Sequence, residues 1–464
     1  MQISRSLPFL ALLGLSCSPA KSPAPVTPWT PGTTYETARG LTSRGFLDRR
    51  GLVHAHSVYS HDACDGEPVD ANGVRNAQCF EDFRRDFCTS KHDFVMLTDH
   101  GESFADTEFP ETLLYRAERG DQLIQRDGQP VANWAACADG RKQLILGGTE
   151  TATLAVGLEG HVGATPQERH DIYGKASAES LEAEKAKHGV ALAMHTEDWT
   201  VEQLGTLPFD GFEMYNLHAN VRFTPYGMNA AAQLLGRLLE GDKTLGNPNL
   251  VFLNFFYEDP RYLGKWGTLL SNNIKRVTTM GTDCHRNAFS QQMSDGDRVD
   301  SYRRMMIWFS NHLLVKAKAD GSYDDRDLKD ALRNGRLYGA FEAHGYPVGF
   351  DYIAESKGTV SEMGSEVALA DSPVLKVAMP KVDNLDPKRT PPALTIRILR
   401  AINDGWEEMK TGTSDVAFTP TQAGAYRAEV RIVPNHLKED LGGDAETLLA
   451  HDYVWIYSNP IYVR

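Results

Sequence analysis

Positive charge is scarce in this chain of 464 residues: 48 Lys and Arg stand against 62 Asp and Glu, a formal net charge of -14. That balance gives no diffuse attraction for nucleic acid or anionic lipid. Long apolar runs are scarce as well, and the one near the N-terminus, Leu7 to Leu15, is too short to cross a bilayer. Cysteine is thinly used, at six positions, and no internal repeat is visible, which leaves no sign of a solenoid or propeller.

The N-terminal run has the form of an export leader. Arg5 precedes it, Ser16-Cys17 follows it, and Leu13-Gly14-Leu15-Ser16-Cys17 resembles a bacterial lipobox, with Gly14 where leucine is usual. In that reading Cys17 carries lipid, and an ordinary cleaved signal peptide is the alternative. Residues 18–45 are rich in Pro, Ser and Thr and are expected to be a disordered tether. The protein is then expected in the cell envelope (periplasm or outer membrane surface), touching membrane only through an N-terminal lipid. Export makes disulfides durable. Cys64, Cys79, Cys88 and Cys137 lie in one region and allow two bridges in any of three connectivities, with free buried thiols as the alternative. Cys284, inside Thr282-Asp283-Cys284-His285, is a poor place for a bridge.

What the chain does have is a repeated juxtaposition. Short apolar runs end in ligand-type side chains: Leu52-Val53 before His54-Ala55-His56, Phe94 to Leu97 before Thr98-Asp99-His100, and Leu144 to Leu146 before Glu150. The pattern continues with Val190 to Met194 before His195, Gly211-Phe212 before Glu213, and Val277 to Met280 before Asp283 and His285. Helix-like stretches at Ser177 to His188, Ala230 to Glu240 and Asp324 to Asn334 fall between or after them. Strands alternating with helices predict an α/β fold, a parallel sheet or barrel, whose functional residues gather at the carboxyl ends of the strands. His54 and His56 stand two apart on a strand and so are expected on one face. The turn Ser60-His61-Asp62 adds two more candidate ligands, and His161 follows in the loop after Glu150. Mixed imidazole and carboxylate donors suit borderline divalent ions such as Zn, Mn or Fe. From about residue 346 to 464 the pattern turns β-rich with Pro and Gly punctuation, predicting a small antiparallel β-sandwich that accompanies a domain spanning about 46–345.

Taken together, His54-Ala55-His56-Ser57, Thr98-Asp99-His100, Glu150, His195 and Gly281-Thr282-Asp283-Cys284-His285 resemble the PHP (polymerase and histidinol phosphatase) superfamily. The leader, the Gly335-Arg336-Leu337-Tyr338 segment and the β-rich tail look most like its CehA/McbA-type metallohydrolase branch. The resemblance implies a distorted seven-stranded β/α barrel holding two to three divalent transition metal ions. It places one metal on His54, His56, Glu150 and Asp283, and a second on Glu150, His161 and His195. A third would use His100, His285 and either His61 or Asp62. Here the chain departs from the family pattern HxHSxxSDG, because His61 stands at the aspartate position and Asp62 one later. The expected chemistry is hydrolysis of a small phosphoester by water that loses its proton between two ions. Carbamate, amide or carboxylic ester hydrolysis by the same centre is the alternative, and a non-catalytic surface-binding lipoprotein the more distant one. Asp99 is expected to orient a ligand from behind. Glu213, Asn216 and His218 are expected to line the pocket or protonate the leaving group. Arg286 is expected either to hold an anionic substrate oxygen or to make a surface salt bridge.

Overall fold

The computed structural model describes residues 27–38, 40–42, 44–223, 236 and 245–464. The leader with Cys17 and, except for Gly236, the helix expected over Ala230 to Glu240 lie outside the described residues. Seven strands close into a barrel: β1 (Phe46–Ala55), β2 (Phe94–Leu97), β3 (Lys142–Glu150), β4 (Leu154–Leu158), β5 (Val190–Ala193), β6 (Gly211–Asn216) and β7 (Val277–Cys284). Each pairs with the next, and β7 pairs back onto β1, so the ring has no open edge.

All neighbours are parallel except β4, which runs antiparallel to both β3 and β5. The cause is local. Only Thr151 to Thr153 separate β3 from β4, too few residues for the crossover a parallel pair requires. The alternation of strand and helix expected from the sequence is therefore interrupted here by a hairpin. Elsewhere helices do follow, beginning with α1 (Ala77–Ser90). The Asn76 side chain caps its N-terminus by accepting from Cys79 N, and Lys91 ends it in the left-handed conformation at φ 58°. Phe80, Phe83 and Phe87, at helical spacing, bury one face in the core that also holds Val95 and Leu97. Burying three such rings stabilises the contact by roughly 2 kcal/mol each.

The barrel strands alternate between two cores. Val53, Met96, Leu146, Val156, Leu192 and Val277, from six of the seven strands, form one compact cluster, which places them inside the ring. Leu328, Ala331 and Leu332 of α2 (Asp325–Arg333) join it and plug the lumen. On β6 the inward residue is Glu213, fully buried above that plug. The ligand-bearing ends thus sit on an apolar floor that excludes water from below.

The first half of β1 also pairs antiparallel with β8 (Ser310–Lys316), and β8 with β9 (Leu337–Ala340). β9 pairs in turn with Tyr453–Ser458, so hydrogen-bonded sheet runs without a break from the barrel into the tail. There, strands Ala393–Ile402, Gly405–Gly412 and Gly424–Val433 build an antiparallel sheet with Tyr453–Ser458. A second antiparallel sheet holds Asp351–Ser356, Thr359–Glu362, Val374–Ala378 and Val416–Phe418. Tyr352, Leu375 and Val377 of the second meet Ile396, Ala428 and Val430 of the first in one core, and the Tyr352 hydroxyl donates to the Tyr426 carbonyl at 2.8 Å. Part of the segment expected as a tether lies against this body: Trp29 is 1% exposed and its N–H donates to Asn384 O. Among the described residues no helix is long and apolar enough to cross a membrane.

Candidate metal centre

The site begins with a break in β1. Register slips between Val53 and Ala55 against both neighbouring strands, and His54 takes φ 72°. Simple strand alternation therefore does not set His54 and His56 side by side, as expected from the sequence. A bulge does, turning an extra residue inward where ordinary pleating would not. His195 (φ 46°) and Asp283 (φ 53°) also have left-handed backbone at their strand ends. Gly281 makes room for the arrangement, since a Cβ there would meet Glu213 Oε1 at 1.9 Å.

Four side chains then converge. His54 Nε2 lies 3.0 Å from Glu150 Oε2 and 3.3 Å from Asp283 Oδ1, and His56 Nε2 lies 3.1 and 3.4 Å from the same two oxygens. Two further groups surround this square. On one side His100 Nε2 is 3.8 Å from Glu150 Oε2 and 3.4 Å from Asp62 Oδ2, with His285 Nε2 3.2 Å from that Asp62 oxygen. On the other, His195 Nε2 is 3.1 Å from Glu150 Oε1, and His218 Nδ1 is 2.9 Å from Asp283 Oδ2. Glu150 and Asp283 thus face several imidazoles each.

The donor set fits divalent ions. His56 Nε2, His285 Nε2 and Asp283 Oδ1 are buried without a hydrogen bond, although opposite partners stand 3.1–3.4 Å away. An orphaned buried polar atom costs about 1–3 kcal/mol, and these three belong to one converging set of donors that a shared cation would satisfy. In each of three sets the donor atoms lie within 4.8 Å of one another: His54, His56, Glu150, Asp283; His56, His100, Glu150, His285; and His218, Asp283, His285. Donors about 2.1 Å from a shared ion need such spacing.

Charge follows the same geometry. Burial pushes the imidazoles down, but the carboxylates outweigh it, raising His54 strongly, His100 to about 9 and His195 to about 11. Burial likewise opposes ionisation of Glu150 and Asp283, and the facing rings hold both well below the usual carboxylate range. His285 behaves differently. Burial and the His56 ring, stacked on it at 3.7 Å, push it down to about 3 and keep it neutral, the form a metal requires.

The remaining expected residues are distributed around this core. Asp62 stands with His100 and His285, while the His61 side chain is 55% exposed and 3.9 Å from Glu102. Ser60 Oγ donates to Asp62 Oδ1 at 2.9 Å, and Cys64 N and Asp65 N donate to His285 O and Arg286 O, fixing that turn to the loop after β7. A disulfide from Cys64 to Cys79 ties it to α1 as well, and Cys88 pairs with Cys137, leaving Cys284 free and buried. His161 is not brought to the cluster. It sits among Phe104, Phe109 and Tyr173, with Nε2 2.8 Å from Thr107 O, and burial lowers it to about 4.

Asp99 accepts from Ser57 N at 2.6 Å and Ser57 Oγ at 2.8 Å, holding the turn just beyond His56. Glu213 lies behind the ligands instead of lining a pocket: Oε1 is 2.6 Å from His54 Nδ1, and Oε2 accepts from His195 N and Asn216 Nδ2. Arg286 reaches Asp82 Oδ2 at 3.5 Å. Sequence reasoning missed Glu197, whose Oε1 is 3.5 Å from His195 Nδ1, although its position two residues after a strand-end histidine offered a signal. It also missed a cavity of about 340 Å³ that opens against His218 and His285.

No protein-family model matches the chain, and no curated protein matches it. Among solved structures it is similar to a two-domain protein containing a predicted PHP-like metal-dependent phosphoesterase from Bacteroides vulgatus. That likeness covers 91% of this chain and 98% of the other at 13% identity, with a TM-score of 0.33, too low for shared architecture to follow from it.

Proposed function

We propose that the chain is a metal-dependent hydrolase of the PHP type, acting on a phosphoester. The observation that carries the reading is the converging set at the barrel mouth, where His56 Nε2, His285 Nε2 and Asp283 Oδ1 are buried without hydrogen bonds. His54, His56, Glu150 and Asp283 would hold one ion, and Asp62, His100 and His285 another, with His195 and His218 completing the set around Glu150 and Asp283. Bound there, two to three Zn, Mn or Fe ions would polarise the ester and lower the pKa of attacking water.

The protein's own part is to hold these donors ready. Glu213 Oε1, 2.6 Å from His54 Nδ1, takes that ring's proton-bearing side and leaves Nε2 directed at Glu150 and Asp283. Asp99 does the same for the backbone by gripping Ser57. The apolar lumen floor below Glu213 keeps bulk water out and strengthens every charge interaction above it.

Carbamate, amide or carboxylic ester hydrolysis is a second reading, favoured by the apolar walls of the cavity beside His218 and His285. The CehA/McbA-type branch rests on the leader and tail resemblance. The two disulfides support an exported, envelope-located protein, since such bonds persist in oxidising compartments. The test is metal analysis of the reconstituted full chain beside an ester screen. Two to three ions per chain and turnover are expected, with Asp283→Ala or His54→Ala losing activity on the order of a hundredfold or more. Less than one ion per chain would end the metalloenzyme reading.

A further inference from the structure

The cavity beside the metal centre has an unusual lining for a phosphatase-like site. Leu217, Val221, Phe252, Phe289, Met305 and Trp308 form its walls, and His218 and His285 close one side. Phe252 packs on both Phe289 and Trp308, with ring centres 5.7 and 4.8 Å away. Its polar neighbours are already engaged. Asp300 Oδ2 accepts from Ala288 N and Phe289 N, its other oxygen takes Arg298 Nε, and Trp308 Nε1 donates to Asn249 O. Arg286, the cation on the wall, leans toward Asp82. A sugar or amino-alcohol group placed here would lose its water and find few free partners. An aromatic ring or bulky alkyl group would exchange water for apolar surface and ring contacts. The volume, about 340 Å³, is that of a small-molecule pocket.

We propose that this cavity seats the aromatic or bulky alkyl group of the ester, with the scissile bond held at His218 and His285. This rests on the hydrolase reading above and narrows its substrate class. In the reaction a water oxygen bonds to phosphorus or carbonyl carbon, the bond to the ester oxygen breaks, and the proton from water ends on the departing alcohol. Phe289 and Val221 set which alcohol fits.

The test compares benzyl with methyl esters, whose leaving alcohols have nearly equal acidity, so that binding governs the difference. Benzyl acetate against methyl acetate and dibenzyl against dimethyl phosphate are run with the metal-loaded full chain, wild type, Phe289→Ala and Val221→Trp, with metal content measured for each. In whichever series turns over, the benzyl-to-methyl ratio of kcat/KM is expected at about a hundredfold, the scale of pocket discrimination for a buried apolar group. It is expected to fall at least tenfold in both variants at unchanged metal content. A wild-type ratio near one, or a ratio untouched by both variants, would overturn the proposal. If no ester turns over, the hydrolase reading fails separately, and calorimetric titration with benzyl alcohol and 2-naphthol decides the cavity. Saturable binding lost in Val221→Trp supports the proposal, and no binding to wild type overturns it.

Discussion

Lys329 and His56 are both buried, charged or chargeable, and faced by two carboxylates, yet they are built differently. The Lys329 ammonium lies 2.8 Å from Glu159 and 3.0 Å from Asp325 and also donates to Gly157 O at 3.0 Å. Arg126 and Arg326 cover the same carboxylates from outside. Lys329 sits on a regular helix with a capping box, and its donors are used. At the barrel mouth the donors face one another with several left unsatisfied, on backbone bent out of its ordinary range. Burial of charge is common to both places. What separates a structural cluster from a site able to hold something is incompleteness, since a closed network has no valence to offer.

Three experiments bear on that contrast. The largest effect is expected from Lys329→Met, which removes the buried cation between Glu159 and Asp325, leaves them only the outer Arg126 and Arg326, and should cost about 3 kcal/mol of stability. Thermal melts should show it, while metal content stays as in wild type. A loss of bound metal in that variant would show that the two clusters are not independent.

An intermediate effect is expected at the Ser60-His61-Asp62 turn. Asp62→Ala should lower occupancy of the ion shared with His100 and His285 and raise KM for an anionic ester several-fold, because a carboxylate helps neutralise a crowded site of dications. His61→Ala should change little, its side chain being mostly exposed. Metal analysis and kinetics on the pair check this, and the reverse ranking would return the ligand role to His61.

The smallest effect concerns Glu184, fully buried with Thr153 Oγ1 donating at 3.2 Å. Burial raises its carboxyl from 4.5 to about 7. The folded state therefore keeps a proton that the unfolded chain has released, and stability falls as pH rises from about 4.5 to 7 and stays lower above it. Glu184→Gln should remove that slope. Its melting temperature, relative to wild type, should be higher by a few degrees at pH 8 and nearly equal at pH 4. Equal shifts at both pH values would mean that the fold does not raise the Glu184 carboxyl above its unfolded value.

The ligand-bearing strand ends were legible because chemistry and hydrophobic pattern coincide there: apolar pairs or runs stop, and a His, Asp or Glu follows. The antiparallel β4 was not, because its residues read as another short buried strand whichever way it runs. His161 illustrates a related limit. A histidine eleven residues after Glu150 looks like a ligand in one dimension, but Thr107 O and three aromatic rings claim it in three. Glu213 was visible as a strand-end carboxylate, yet its role depended on a bulge at His54 that no alternation pattern reveals. The cavity was least legible of all, since its walls come from Leu217, Phe252, Phe289 and Trp308, far apart in sequence and individually ordinary core residues.

The left-handed backbone at His54, His195 and Asp283 bears on how such a chain can change over generations or in an engineer's hands. Each departure costs about 1–2 kcal/mol for a residue with a Cβ, so the three together take up a sizeable part of the ~5–15 kcal/mol that usually holds a domain folded. Glycine would relax every one of them. Selection on backbone strain alone would favour glycine at these positions, at the expense of the His54 contacts to Glu150 and Glu213, and would leave a blunt barrel mouth. Persistence of imidazole and carboxylate at all three, against that pull, is the mark to look for when relatives of this chain are gathered.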